Sequence, residues 1–312
     1  MRIAVMGTGG VGGYFGGRLA QAGHDVTFVA RGAHLDAMRR QGLRIRSPSG
    51  DIALRDVVAT DDPSTLTPVD AVMFCVKLWD VEKAAAQVAP LLGERGVVIP
   101  FQNGIDSPEI LKGVLGENHV LGGVAYIAAT IAEPGIIAQT GSMAKLRVGA
   151  FDAAGDASPI RERAAAFVDA CRASGIDAEL ATDIRVALWE KFVFLAALSG
   201  VTALARRPVG DVRSDPDLRA AFAASMRETV ALARARNVAL SDDFLPAQMR
   251  ALDRLPAEMR SSMQNDLMAG RRLEAPWLCG RVAALSAEAG LAAPVNATLY
   301  AGLKPFVDGS AP

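Results

Sequence analysis

A glycine-rich turn close to residue 1 constrains the fold of this chain more than any other feature. The apolar run Arg2–Met6 leads into the turn, and a helical pattern and a second apolar run at 26–30 follow it. This order predicts strand, turn, helix and strand, the unit that binds dinucleotides through the turn and the helix N-terminus. A plain glycine-rich turn is the alternative, but the complete unit around it favours a cofactor site. The predicted cofactor-binding residues are Gly7, Thr8, Gly9, Gly10, Val11 and Gly12.

The residue at the end of the second predicted strand indicates which dinucleotide binds. A site that recognises a ribose 2′-hydroxyl carries Asp or Glu there, whereas this chain has Arg31. A guanidinium suits a 2′-phosphate because it donates paired, charge-assisted hydrogen bonds. The sequence therefore predicts NADP rather than NAD, with a solvated arginine at a strand end as the alternative.

Length and charge limit the remaining possibilities. A chain of 312 residues is too long for one small core, so two domains are predicted. Apolar residues make up 51% of the sequence, which is enough to form a large core. The net charge of −1, with both signs interspersed, gives no reason to expect nucleic acid as a partner. A small molecule is the expected partner, and a homodimer is left open.

Cysteine and histidine usage predicts a reducing compartment and no metal site. The three cysteines are scattered without a CxxC pair, as expected of buried thiols in a cytoplasmic protein. The three histidines form no ligand cluster, and none follows His119, which excludes histidine-based dehydrogenase chemistry. No signal peptide or membrane span is expected. The nearly uncharged stretch 192–205 is too short to span a bilayer and predicts a buried helix.

The chain divides into two regions with different patterns. Up to about residue 182, apolar runs alternate with helical patterns; beyond it, only capped helical patterns occur. We predict an α/β nucleotide domain at 1–182, an all-helical domain at 183–312, and an active site in the cleft between them. In the first domain we predict helices at 33–41, 81–92 (capped by Asp80), from Ser107-Pro108 and at 158–174, a hairpin at 43–46 and 52–54, strands at 69–76, 97–99 and 177–181, and antiparallel additions to the sheet at 120–150. In the second we predict helices from 182 or 183 to 199, at 218–236, 244–252 and 273–289, and after Pro294.

Lys191 is the most informative polar residue of the second region. Almost all its neighbours in the sequence are apolar, and a buried lysine is costly unless it is paired. Such lysines are enriched at catalytic sites. A lysine that reaches the surface beside Glu190 is an equally weighted alternative on spacing alone.

Four further residues are candidates, each with a simpler alternative. Asn103 follows a predicted strand at the edge where a nicotinamide would lie, but asparagine before glycine is also a common turn. Lys77 ends the preceding strand and either contacts a ligand or only terminates the strand. Ser262 is a ligand candidate or a helix cap, and Glu274 is a ligand candidate or a first-turn acid facing a helix dipole.

These motifs together resemble the ketopantoate reductase (2-dehydropantoate 2-reductase) family over essentially the whole chain. The resemblance rests on Gly7-x-Gly9-x-x-Gly12, Arg31, Gln102-Asn103-Gly104, Trp189-Glu190-Lys191, Ser261-Ser262-Met263-x-x-Asp266 and Glu274. It implies a Rossmann-type, doubly wound α/β domain followed by a helical domain. It also implies NADPH-dependent reduction of a 2-oxo acid, in pantothenate biosynthesis.

The resemblance assigns roles to individual residues. Lys191 would be the general acid that protonates the alkoxide formed on hydride transfer, and Asn103 would hold the nicotinamide and this lysine in register. Ser262 would bind the substrate carboxylate. Glu274 would bind the substrate and stabilise charged Lys191, while Asp266 would support the segment structurally. Asn103 and Lys77 are also counted among the cofactor-binding candidates.

One departure from the family pattern affects the substrate pocket. The family usually has asparagine four residues after the lysine, and often again four further on. This chain has Leu195 and Ser199 there, on the face of the helix that carries Lys191. A less polar substrate pocket is therefore predicted, lined by Leu195, Ser199 and Ser262.

Three functions remain open from the sequence. The first is ketopantoate reduction. The second is reduction of another 2-oxo acid, or a hydroxyacid dehydrogenase that also pairs a dinucleotide domain with a lysine-bearing helical domain. The third is a non-catalytic NADP-binding sensor, which would have no need of Lys191, Asn103, Ser262 and Glu274 together.

Overall fold

The computed structural model describes residues 1–151 and 158–309. The chain forms two compact units, one with both strands and helices and one that is helical. The α/β class with a Rossmann-type sheet, followed by helices, is therefore confirmed. The first unit comprises Met1–Gln102 and Asp106–Ala187, and the second Asn103–Ile105 and Leu188–Pro312. The domain boundary near residue 182 stays a prediction.

Within the described residues, the strands all belong to the first unit. In chain order they are β1 (Arg2–Met6), β2 (Asp25–Val29), β3 (Leu43–Arg46), β4 (Ile52–Leu54), β5 (Val58–Thr60), β6 (Ala71–Phe74), β7 (Val97–Pro100), β8 (Gly122–Glu133), β9 (Ile136–Gly149) and β10 (Asp177–Leu180).

The first sheet carries the predicted nucleotide-binding unit. Its order is β5-β2-β1-β6-β7, and all its strand pairs are parallel. Every residue of β6 and β7 is buried, which explains their continuous apolar runs. Because the strands are parallel, their carboxyl ends lie along one edge, and the glycine turn after β1 is at the centre of that edge.

A second sheet corrects the prediction made for residues 120–150. These residues do not add antiparallel strands to the first sheet; they form the long hairpin β8–β9 in a sheet with order β10-β9-β3-β4. Strand β9 is parallel to both β3 and β10. The predicted hairpin β3–β4 is confirmed as an antiparallel pair. Alternating residues reveal the two faces of a strand but not its partner, which is why the second sheet was missed.

The helices follow the predicted pattern closely, with differences at their ends. In chain order they are α1 (Gly10–Gln21), α2 (Gly32–Gln41), α3 (Val81–Val88), α4 (Ser107–Leu115), α5 (Pro159–Ala173), α6 (Ile184–Ala205), α7 (Val209–Ser214), α8 (Pro216–Ala235), α9 (Phe244–Arg254), α10 (Ser262–Met268), α11 (Cys279–Glu288) and α12 (Pro294–Leu303).

Several predicted helix features are wrong in detail. Asp80 precedes α3 but makes no side-chain cap, and α3 is shorter than predicted because a 3-10 turn follows it. The predicted helix at 273–289 is broken: a 3-10 turn at Ala275–Trp277 precedes α11. The backbone of Leu278 lies outside the helical region (φ −113°, ψ −105°), and Pro276 has no amide to donate. The short helix α7 was not predicted.

Helix α6 contains the nearly uncharged stretch. Among the described residues, it is the helix that is long and apolar enough to cross a membrane by length and composition. Its most apolar window has a mean hydropathy of 1.5, and 72% of that window is buried inside the protein. This burial agrees with the predicted core helix. The helix begins at Ile184, where the Asp183 carboxylate accepts from the amides of Arg185 and Val186.

Candidate active site

The glycine turn after β1 is fixed by a close approach of two strands. Gly7 has φ +98°, and a Cβ there would lie 2.8 Å from the backbone of Cys75, which follows β6. Only glycine fits this position without strain. The amides of Gly7 and Thr8 both donate to the carbonyl of Val29 at 3.1 Å, and the Thr8 hydroxyl donates to the same oxygen at 3.0 Å. The turn is therefore anchored to the end of β2.

Helix α1 packs between the two sheets through two pairs of glycines. On one side, a Cβ on Gly16 would lie 2.7 Å from the Val5 side chain of the first sheet, and Gly12 faces the same valine. On the other side, a Cβ on Gly13 would lie 2.7 Å from Ile137 of the second sheet. Gly17, one turn after Gly13, packs against β3.

The turn and the first residues of α1 fit a pyrophosphate. A Cβ on Gly9 would meet no atom within 4 Å, so this side is open, whereas Gly10 packs against the carbonyl of Ala129. The Gly13 amide donates to the Gly9 carbonyl at 2.7 Å. Before it, within residues 1–151 and 158–309, the amides of Gly10, Val11 and Gly12 donate to no backbone oxygen. Such amides at a helix start bind anions.

Arg31 and Lys77 follow the strands on either side of β1. Arg31 is exposed, lies two residues after the end of β2 and directly precedes α2. Lys77 is exposed after β6, with its ammonium 5.6 Å from the centre of the Trp79 ring. Both residues are therefore at the same sheet edge as the glycine turn, as the sequence predicted.

Three predicted catalytic residues meet within the second unit. The Lys191 ammonium donates to the Asn103 carboxamide oxygen at 3.0 Å, and the Asn103 amide nitrogen lies 3.4 Å from the Glu274 carboxylate. Gly104 (φ +86°) turns the chain next to Asn103, and a Cβ there would lie 3.1 Å from the carbonyl of Trp277. Asn103 therefore connects the lysine and the glutamate through one carboxamide.

The surroundings of Lys191 alter its acid strength. Burial lowers the pKa of its ammonium to about 8, while the charge of Glu274 raises this pKa and opposes the effect of burial. Glu274 itself is only 7% exposed. A lysine with a pKa near 8 is protonated at neutral pH and can release its proton, which suits a general acid.

The other predicted substrate residues lie at different depths. Ser199 is fully buried, and its hydroxyl has no hydrogen-bond partner in the described parts of the chain, whereas Leu195 is half-buried. Ser262 is exposed and is the first residue of α10. The helix cap considered for Ser262 is wrong, because the Ser261 hydroxyl is the cap and accepts from the Gln264 amide.

Two contacts around this segment were not predicted. The hydroxyls of Ser261 and Thr202 are 2.8 Å apart, which joins α10 to α6. Asp266 accepts from the Arg271 guanidinium at 2.7 Å, in line with its predicted structural role. Thr202 lies three residues after Ser199 on α6. This helical spacing is the only sequence signal that could have pointed to the contact between Thr202 and Ser261.

This fold and these side chains define a Rossmann-type oxidoreductase with a helical second domain. Two family models match the chain: ketopantoate reductase PanE/ApbA over residues 3–153, and ketopantoate reductase PanE/ApbA C terminal over residues 183–306. The chain belongs to the ketopantoate reductase family. The resemblance read from the motifs and the predicted enzyme class are thereby confirmed.

Known relatives extend over almost the whole chain. The 2-dehydropantoate 2-reductase of Archaeoglobus fulgidus is 32% identical over 302 residues, which cover 96% of this chain and 95% of that protein. The crystal structure of a PanE/ApbA family ketopantoate reductase from Ralstonia eutropha JMP134 is similar, with 32% identity, a TM-score of 0.88 and 98% coverage of both chains. D-mandelate dehydrogenase, in a complex with NADH and anilino(oxo)acetate, shares the fold, with a TM-score of 0.89, 18% identity and 98% coverage of both chains.

Proposed function

We propose that this protein reduces 2-dehydropantoate (ketopantoate) to pantoate with NADPH. The contact series Lys191–Asn103–Glu274 is the observation that carries the proposal, because it couples a proton donor to a buried carboxylate within one unit. The names of the relatives support the same activity. A non-catalytic sensor would have no use for a lysine whose pKa is lowered to about 8.

The glycine turn and its neighbours would hold the cofactor. The amides at the start of α1 would bind the pyrophosphate, and Arg31 would bind the 2′-phosphate with paired hydrogen bonds. Lys77 lies at the same sheet edge and would contact the cofactor from the β6 side. When bound, the reduced nicotinamide supplies the hydride that the 2-oxo carbon accepts.

Lys191 would complete the reduction by proton transfer. As the carbonyl carbon gains a hydride, its oxygen becomes an alkoxide, and the Lys191 ammonium gives that oxygen a proton to form the 2-hydroxyl group. Asn103 accepts one ammonium hydrogen and so aims the remaining two. Glu274 favours the charged lysine before the transfer, and Ser262 would bind the substrate carboxylate.

An assay of NADPH oxidation with a panel of 2-oxo acids tests the proposal. Ketopantoate should be reduced, because the Glu274 carboxylate can accept a hydrogen bond from its terminal hydroxyl. If the protein does not reduce ketopantoate but reduces another 2-oxo acid well, the proposed substrate is wrong. The proposed hydride and proton transfers would still stand.

The reduction of a different 2-oxo acid is a second candidate, and one observation favours it. Leu195 occupies the position where the family pattern has asparagine, and Ser199, one turn further along the same helix face, is fully buried. An apolar pocket discriminates weakly between a substrate with a hydroxyl and one without it. Ketopantoate should therefore have only a small advantage over 2-oxoisovalerate, which lacks that hydroxyl.

Replacing Leu195 by asparagine should sharpen this choice. The Leu195→Asn variant offers the substrate hydroxyl a carboxamide, so the ratio of kcat/KM for ketopantoate over 2-oxoisovalerate should rise roughly 5- to 10-fold, the value of about one hydrogen bond. Leu195→Ile is the control, because it keeps the volume and adds no polar group. An equal ratio in both variants would show that residue 195 does not meet the substrate hydroxyl.

Arg31 should determine the preference for NADPH over NADH. Arg31→Ala removes the paired donors, so this preference should shrink by roughly 1–3 kcal/mol, the scale of hydrogen bonds to a charged group. Dissociation constants for both cofactors provide the measurement. The exposed Arg40 at the other end of α2 supplies the control, Arg40→Ala. Equal affinity of the wild type for NADPH and NADH would remove the basis for the NADP proposal.

A further inference from the structure

A cavity of about 640 Å³ lies in the first unit, away from the glycine turn. Residues of four segments line it: the middle of α1, the loop after β3, the hairpin β8–β9, and the segment that leads into β10. Arg18, on the α1 side, is about 12 Å further along the helix axis than Gly10, the first residue of the helix. Sites for small molecules have volumes of about 300–1,000 Å³, so this cavity has the size of such a site.

The guanidinium of Arg18 brings an unmatched positive charge to the cavity. Arg18 is half-buried; its guanidinium carbon lies 4.9 Å from the centre of the Tyr14 ring, and its Nη2 donates to the Ser47 hydroxyl at 3.4 Å. Within residues 1–151 and 158–309, it forms no ion pair with a carboxylate. A guanidinium has five N–H donors, and the long bond to Ser47 uses one of them. The other donors remain for an anion.

The other charged residues of the cavity balance one another. The Lys145 ammonium lies 2.9 Å from the Glu179 carboxylate and 4.0 Å from that of Asp177. The Arg147 guanidinium lies 3.3 Å from Glu179. The hydrogen bond between Lys145 and Glu179 raises the pKa of the lysine and lowers the pKa of the glutamate, so both stay charged at neutral pH. Since two cations are paired with two carboxylates, the cavity keeps the positive charge of Arg18.

A series of hydrogen bonds fixes the surroundings of this arginine. The Ser47 hydroxyl, which accepts from Arg18, donates to the Gln139 carboxamide oxygen at 2.6 Å. Gln139 is buried, and its Nε2 donates to the Met143 carbonyl at 3.2 Å. The loop after β3 is thus joined to β9 through a buried side chain. The cavity is formed before a ligand binds, which lowers the entropic cost of binding.

A second wall of the cavity offers apolar and aromatic surface. Met143 and Tyr126 both line it. Met143 is 55% exposed, and Tyr126 is half-buried opposite Lys145 in the β8–β9 pair. Methionine adapts to irregular apolar shapes and makes favourable contacts with aromatic rings. A ligand in the cavity would therefore meet a cation on one wall and an adaptable apolar surface on another.

We propose that this cavity is a binding site for a small organic anion, a carboxylate or phosphate ester joined to an aromatic group. The Arg18 guanidinium would bind the anionic group through charge-assisted hydrogen bonds, while Tyr126 and Met143 would contact the ring. The site includes none of the residues proposed to bind the cofactor or the substrate, so it can be occupied together with both. The inference goes beyond the proposed reduction and does not depend on it.

Four probes separate the two halves of the proposed ligand. Benzoate and phenyl phosphate carry both an anion and a ring; benzamide has the ring without the charge, and inorganic phosphate has the charge without the ring. Dissociation constants are measured by NMR titration of the full chain, first alone and then with NADP⁺ and 2-oxoisovalerate in excess, a pair that cannot react with each other. The second condition fills the proposed active site, where a carboxylate could also bind.

Two pairs of variants test the residues of the cavity. Arg18→Met removes the charge but keeps an apolar side chain, and Arg40→Met is its control on the exposed face of α2. Met143→Glu places a negative charge on the apolar wall, and Met143→Gln is its uncharged control. Because Met143 is exposed, this second pair decides the question if Arg18→Met does not fold. Melting temperatures show which variants are folded.

The expected result is binding that depends on both the charge and the ring. Benzoate and phenyl phosphate should bind the wild type at least about 10-fold more tightly than benzamide and inorganic phosphate, with or without NADP⁺ and 2-oxoisovalerate. Arg18→Met and Met143→Glu should each weaken both organic anions about 10-fold or more, the scale of one hydrogen bond to a charged group. The two control variants should stay within about threefold of the wild type. Turnover of Arg18→Met at saturating substrates should be unchanged.

Four results would overturn the assignment. Absence of binding at millimolar probe concentrations would leave the cavity without a ligand of this class. Wild-type affinity in both Arg18→Met and Met143→Glu would show that the probes bind elsewhere. Displacement of the probes by 2-oxoisovalerate would place them in the proposed active site. Equal affinity for inorganic phosphate and phenyl phosphate would exclude any contribution from the ring.

Discussion

Lys191→Ala should lower kcat for ketopantoate reduction by roughly 10²–10⁴, the range for loss of a positioned proton donor. The ammonium of Lys191 is the group with a lowered pKa in the Asn103–Glu274 contact series, and alanine removes the proton without replacing it. NADPH binding should be retained, since the residues proposed to bind the cofactor phosphates lie in the first unit. Steady-state kinetics and direct cofactor titration measure the two effects separately.

The controls for this variant test charge and location. Lys191→Arg keeps a positive charge, but a guanidinium with its high pKa is a poor proton donor, so turnover should remain low. Lys304→Ala removes an exposed lysine from the same unit and should have wild-type activity. Near wild-type turnover in Lys191→Ala would mean that this lysine is only a buried structural residue.

Glu274→Gln should lower kcat/KM by roughly 10- to 100-fold, because the substrate loses a hydrogen bond to a charged carboxylate, worth about 1.5–3 kcal/mol. It should also shift the pH profile in a defined direction. Reduction needs protonated Lys191, so wild-type activity should decline as the pH rises through about 8. The carboxylate raises the pKa of this lysine, so glutamine should move the decline to lower pH.

Measurements in both reaction directions make this test specific. Oxidation of pantoate needs neutral Lys191 as the base, so its rate should rise over the pH range in which reduction falls, and both midpoints should move together in Glu274→Gln. The exposed Glu258 provides the control, Glu258→Gln, which should leave both midpoints in place. A midpoint that stays fixed or moves upward in Glu274→Gln would contradict the proposed role of the carboxylate.

The sequence predicted the nucleotide-binding unit well because its signals are local. The apolar runs of β1 and β6 and the glycines of the turn each depend on residues close together in the chain. The second sheet was not predicted, since β9 pairs with β3 from much earlier in the chain. Pairing over such separations leaves no periodic pattern.

The candidate site shows the same limit. Lys191 was identified because a lysine in an apolar helix is unusual, and its contact with Asn103 was expected only through the family resemblance. These residues are 88 positions apart, and Asn103 and Glu274 are 171 apart.

The position of α1 between two sheets restricts how this enzyme can evolve. Residues Gly12 to Gly17 are all buried, and glycines face both sheets, so nearly every larger side chain on these turns would collide with a strand. Most substitutions in the first half of the helix are therefore excluded by steric overlap. A lineage that changes its coenzyme must do so in the segments after β2 and β6, where Arg31 and Lys77 are exposed and substitution leaves the scaffold intact.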